Sequence, residues 1–133
     1  MKRLLFLSTL LASLTLCAAC NDDDDLSLEL TAADLEQTAW DAHEITYNWQ
    51  GAIVDESFYI LNFQTDTTGK LTELDADGDY LWTLDFSYTV DRKLIAFQGS
   101  LTQTWTIIKR TKNEIVMQTF LDNKQVMTLT RKY

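Results

Sequence analysis

Tyr80-Leu-Trp82-Thr-Leu84-Asp-Phe86-Ser-Tyr88-Thr-Val90 is the stretch that decides the fold. Tyr80, Trp82, Leu84, Phe86, Tyr88 and Val90 fall on one parity. Thr83, Asp85, Ser87 and Thr89 fall on the other. Successive side chains of a strand point to opposite faces, so this is a strand with one buried and one wet side. The same alternation sets Trp105 and Ile107 against Thr104 and Thr106, and Met127 and Leu129 against Thr128 and Thr130.

Outward from that strand, turn chemistry divides the chain into eight short segments. They cover 39–48, 52–63, 70–74, 80–90, 93–97, 101–109, 114–121 and 125–132. The breaks carry Gln50-Gly51, Asp66-Thr-Thr-Gly69, Asp75-Ala-Asp-Gly78, Asp91-Arg92, Gln98-Gly99-Ser100, Thr111-Lys-Asn113 and Asp122-Asn123. Each is short enough for a hairpin, which predicts an antiparallel meander. Eight one-sided strands must cover their apolar faces. Thr31-Ala-Ala-Asp34 reads as a capping box opening one short helix over 32–37, too little to cover a sheet. Closure is the remaining solution, and it also removes the sheet edges. The expected fold is therefore all-β: an eight-stranded antiparallel up-and-down barrel with one short N-terminal helix.

Upstream, Lys2 and Arg3 precede an apolar run from Leu4 to Leu16. A run of about 13 residues suits a signal h-region and falls short of the ~20 that span a bilayer. Ala18-Ala19 then leads into Cys20 and Asn21-Asp22-Asp23-Asp24-Asp25. This segment resembles a bacterial lipoprotein signal followed by the acidic surface-export tag of the Bacteroidetes lineage. The resemblance implies acylation at Cys20, with Asp22, Asp23, Asp24 and Asp25 as the tag. It departs at Cys17, where such signals usually carry Leu; acylation at Cys17 would put bulky Leu16 at the cleavage position. A plain secretory signal and a solvated acidic spacer are the bland alternatives. The expected organisation is a signal peptide over 1–19, a lipidated acidic tether over 20–30 and a barrel domain over 31–133. The expected location is the outer membrane, lipid-anchored and surface-exposed.

Cleavage before Cys20 removes 19 of 133 residues and leaves 114, enough for one domain. Both cysteines lie in or beside the leader, so the barrel has neither an internal disulfide nor a cysteine metal site. The formal charge is −9, and −11 without Lys2 and Arg3. That balance argues against nucleic acid, whose phosphates need a basic patch.

The region from Leu35 onward resembles the lipocalin-like domains of Bacteroidetes lipoproteins, within the calycin group. The residues carrying the likeness are Leu35-Glu-Gln-Thr-Ala-Trp40, Phe86-Ser-Tyr88-Thr-Val90, Trp105-Thr-Ile107 running on to Asn113-Glu114-Ile115-Val116, and Met127-Thr-Leu129-Thr-Arg131. The resemblance implies that Trp40 packs at the closed end with Arg131 across it. Where the family carries glycine two residues before that tryptophan, this chain has Thr38. The chain is also shorter than a classical lipocalin, which implies a squat barrel and a small cavity.

Other constellations are weighed against blander readings. Asp75, Asp77 and Asp79 surround Gly78 like a calcium loop without EF-hand spacing, and they suit a type I′-like Asp-Gly hairpin equally. His43 is the single histidine; on a strand it shares a face with Asp41, and Glu44 points away. Asp55, Glu56 and Asp85 are candidates for a glycosidase pair, with no framing motif. No serine elbow is present. The reading is a non-enzyme without cofactor or metal. Trp49, Trp82, Phe86, Tyr88 and Trp105 are the candidate ligand or rim contacts, against a filled barrel interior. Trp49 stands apart, beside the first turn at a barrel mouth. Two functions remain: a carrier of a small apolar or amphipathic ligand, or a filled accessory module binding an envelope protein, inhibitor roles included.

Overall fold

The computed structural model describes residues 24–99 and 102–133. Eight strands close into one antiparallel barrel in sequence order. They are β1 (Thr38–Tyr47), β2 (Ile53–Phe63), β3 (Thr68–Leu74), β4 (Tyr80–Asp91), β5 (Leu94–Gly99), β6 (Gln103–Arg110), β7 (Glu114–Phe120) and β8 (Lys124–Arg131). The first and last strands complete the ring, with Trp40 opposite Arg131 and Tyr47 opposite Lys124. The one helix among the described residues, α1 (Ala32–Leu35), is a single turn, shorter than the expected 32–37. Its start is held by the Thr31 N–H donating to Asp34 Oδ2 at 3.0 Å. Gln37 then takes a left-handed φ of 63°, which ends the helix and turns the chain into β1.

Register fixes which side chains enter the lumen. Trp40 faces Leu61, which faces Leu71, which faces Leu84. Around the other side, Ile95 faces Trp105, Met117 faces Met127, and Leu129 faces Ala42. All of these except the half-buried Leu84 belong to one core beneath α1, in the half of the barrel where the chain enters. The core is filled with large side chains. Phe63 meets Phe86 and Tyr88 edge-on at 5.7 and 5.0 Å, and Phe86 meets Phe97 at 5.2 Å. Edge-to-face packing suits the ring quadrupoles. The crowding requires a glycine at position 69, where a Cβ would lie 2.4 Å from the Asn62 carbonyl oxygen and 2.6 Å from Phe86 Cζ.

Residues 26–30, expected within the tether, are docked on this closed end. The Leu26 N–H donates to the Arg110 carbonyl, and the Leu30 N–H to the Arg92 carbonyl. Arg110 Nη1 donates to the carbonyls of Ser27 and Glu29. Leu30 is buried in the core, which explains why the segment joins the barrel. Cys20, Asp22 and Asp23 lie outside the described residues; Asp24 and Asp25 are exposed.

Thr38, where the resemblance implied a glycine, does a specific job. Thr38 is buried; its hydroxyl donates to the Leu35 carbonyl and accepts from Trp40 Nε1 at 2.7 Å. The Arg131 guanidinium lies over the Trp40 ring, 5.5 Å from its centroid. One threonine thus ties α1 to β1 and satisfies a buried indole. Trp105 lacks that provision: its Nε1 is buried with no hydrogen-bond partner among the described residues.

Candidate functional site

The hairpins β1–β2, β3–β4 and β7–β8 gather at the end opposite α1. The first two share one device. The Asn48 side-chain oxygen accepts the N–H groups of Gln50 and Ala52, and Gly51 takes φ 87°. Asp75 Oδ1 accepts those of Asp77 and Asp79, and Gly78 takes φ 89°. The Asp75 carboxylate is therefore turned onto its own backbone. With Gly78 alone at positive φ, the turn is type I closed by a left-handed glycine, not the expected type I′ form. Among the described residues no cluster of three His, Cys, Asp or Glu groups is placed to hold a metal.

The lumen changes character towards these hairpins. Inward from Trp40 and Ala42, β1 presents Glu44 and Thr46. Their partners on β2 are Ser57 and Asp55, and Tyr59 faces Glu73 on β3. Gln125 Nε2 donates to Glu44 Oε2 at 2.9 Å, and Gln103 Nε2 to Gln125 Oε1 at 3.1 Å. Burial raises the Glu44 carboxyl above its ordinary 4.5; a hydrogen bond from Tyr59 opposes this, and Asp55 and Glu73 add to it. Burial likewise pushes the Tyr59 phenol up to about 12. Trp82 shares the inward parity of Leu84 and Phe86 yet is 49% exposed, so the lumen is unfilled at that level.

The outer wall of the same half is apolar. Trp49 is 88% exposed at the tip of the β1–β2 hairpin, and Ile53, Phe120 and Leu121 are also exposed. A groove of about 610 Å³ runs between the β1–β2 and β7–β8 hairpins, walled by Tyr47, Trp49, Phe120 and Val126. A second groove, of about 400 Å³, lies against the β3–β4 hairpin and includes Asp41, His43, Phe58 and Thr128. There His43 stacks on Phe58 at 4.7 Å and its Nε2 meets Glu56 Oε2 at 3.0 Å.

The five aromatics expected at a ligand are divided by this geometry. Trp49 and Trp82 stand at the open end. Phe86, Tyr88 and Trp105 are in the packed core, at most 4% exposed, away from the rim. The Tyr88 hydroxyl donates to the Thr65 carbonyl, bracing the β2–β3 turn. The histidine's carboxylate neighbour is Glu56, across the β1–β2 ladder, whereas Asp41 lies 3.6 Å from Lys132. Asp55 and Glu56 point to opposite faces of β2, and Asp85 on β4 pairs with Lys70, so these carboxylates do not flank a common substrate. The apolar rim outside Trp49 and the polar network of Glu44, Gln103 and Gln125 escaped the sequence reading. The signal was there in β1, whose apolar parity switches after Ala42 to Ile45 and Tyr47.

Comparison with family models, curated proteins and solved structures finds no match.

Proposed function

We propose that this chain is a lipid-anchored bacterial outer-membrane protein of lipocalin-like type. Its barrel, packed solid in the closed half, serves as an interaction module that offers its open end to a partner at the cell envelope. The observation that carries this reading is the solid closed half, with exposed apolar residues concentrated at the opposite rim. Residue 26 docks at the closed end. If Cys20 carries the lipid, the six residue steps to Leu26 reach at most about 21 Å. The closed end then faces the membrane and the open rim faces away.

A carrier of an apolar molecule fits less well. Its pocket would need apolar walls, whereas the unfilled part of this lumen is lined by Glu44, Asp55 and Glu73. One observation keeps an amphipathic ligand as a second reading: Trp82 points inward and is half exposed. Native mass spectrometry of the protein purified from its own host separates the two. The module reading expects the mass of the chain and its modifications alone. A further mass that leaves on denaturation would overturn it in favour of a carrier.

A further inference from the structure

The groove between the β1–β2 and β7–β8 hairpins combines two kinds of surface. Three aromatic rings, Tyr47, Trp49 and Phe120, form its apolar wall. Asn48, Asp122, Asn123 and Lys124 supply hydrogen-bonding groups along the same groove. Asn48 Oδ1 accepts two backbone N–H groups, which leaves Nδ2 as the group this side chain can offer a ligand. The volume, about 610 Å³, is that of a small-molecule site.

The occupant is narrowed by what each class would meet. An acyl chain would bury those polar groups with their hydrogen bonds to water unreplaced. Anionic lipid or polyanion meets a chain of formal charge −9, and a second copy carries the same charge. A peptide adding as a strand needs a free sheet edge, and the closed barrel offers none. Within the groove Asp122 and Lys124 balance one another. A neutral, polyhydroxylated ligand with apolar C–H faces satisfies both surfaces.

We propose that this groove is a carbohydrate site: a neutral sugar ring lies on Trp49, flanked by Tyr47 and Phe120, with its hydroxyls taken by Asn48, Asp122, Asn123 and Lys124. The inference rests on the interaction-module reading and names its partner class.

The test is calorimetry and tryptophan fluorescence on the full chain in a sugar-free detergent. The probes are cellotetraose, maltotetraose, mannotetraose and chitotetraose, with oligogalacturonate and phosphatidylglycerol vesicles for comparison. At least one neutral tetrasaccharide is expected to bind saturably with Kd on the order of 1 mM or tighter. Trp49→Ala is expected to weaken it tenfold or more with Tm unchanged, because the ring is 88% exposed. Phe120→Ala provides a second, smaller loss. No saturable response to any neutral probe at about 10 mM, ten times that Kd, overturns the proposal. So does binding that Trp49→Ala leaves intact, or a response to the anionic probes alone. The underlying reading fails differently: a co-purifying mass that persists in Trp49→Ala would place a ligand in the lumen, while the tetrasaccharide titrations still decide the groove.

Discussion

The two halves of this barrel are built from the same eight strands, yet their faces are reversed. In the closed half, inward positions are apolar: Trp40, Leu61, Ile95 and Leu129 are all buried. Outward neighbours there are polar, such as Asp41, Asn62 and Thr130. In the open half Glu44 and Gln125 point inward, while Ile45 and Val126 face each other on the outside. The period of two runs unbroken through β1 from Trp40 to Thr46, so the reversal owes nothing to a slip in register. One half of the ring is a core, and the other is a display surface around a polar lumen. The packed core and the proposed recognition surface thus lie at opposite ends of the same strands.

Substitutions should sort by that division. Phe63→Ala strikes the closed half at the hub of its aromatic cluster. It is expected to cost about 3–5 kcal/mol, read as a lower midpoint in urea unfolding. A loss near zero would mean the core is less tightly packed than its burial indicates. Thr38→Ala removes the acceptor of the Trp40 indole, and about 1–3 kcal/mol should follow. Thr38→Ser keeps the hydroxyl and should recover most of the loss; no difference between the two variants would assign the effect to packing.

The open half should respond with smaller changes, one of opposite sign. Because the Glu44 carboxyl is raised in the fold, the folded state holds its proton more firmly than the unfolded chain does. Stability therefore falls as pH rises from the ordinary 4.5 through the raised folded value. Glu44→Gln removes the buried charge, so it should raise Tm at pH 7 and have little effect at pH 4. An equal gain at both pH values would contradict the assignment. The smallest effect belongs to Trp49→Ala, expected within about 0.5 kcal/mol of the parent. A larger loss would show that the rim contributes to the fold, and would blur the division between the halves.

The closed half was the legible part. Side chains such as Phe86, Tyr88 and Trp105 announce a strand by parity alone, and short polar breaks dictate neighbour-to-neighbour pairing. The observed strand ends fall within two residues of the expected ones. What stayed hidden depends on closure. Phe120 and Lys124 become neighbours of Tyr47 and Trp49 only when β8 pairs with β1. The Glu44–Gln125–Gln103 chain likewise joins three strands brought together by the ring. His43 shows the same limit: adjacency in sequence suggested Asp41, and the cross-strand register supplied Glu56. The docking of residues 26–30 turned on Leu30 reaching the core, which no local pattern reports.

The seam between β1 and β8 also governs when this molecule can exist. Trp40 pairs with Arg131, 91 positions later. A meander of hairpins can assemble behind the growing chain, but the ring stays unsealed until its last strand arrives. Loop closure over such a separation is entropically costly, and barrels dominated by distant pairings fold in about milliseconds to seconds rather than microseconds. Until the seam forms, β1 and the later strands present unpaired backbone. Stopped-flow refolding should therefore show early hairpin signals and a slower phase in Trp40 fluorescence; a Trp40 signal complete in the first phase would place the seam early. If the chain is exported as proposed, this delay is useful: translocation demands an unsealed polypeptide, and the seam supplies the interval.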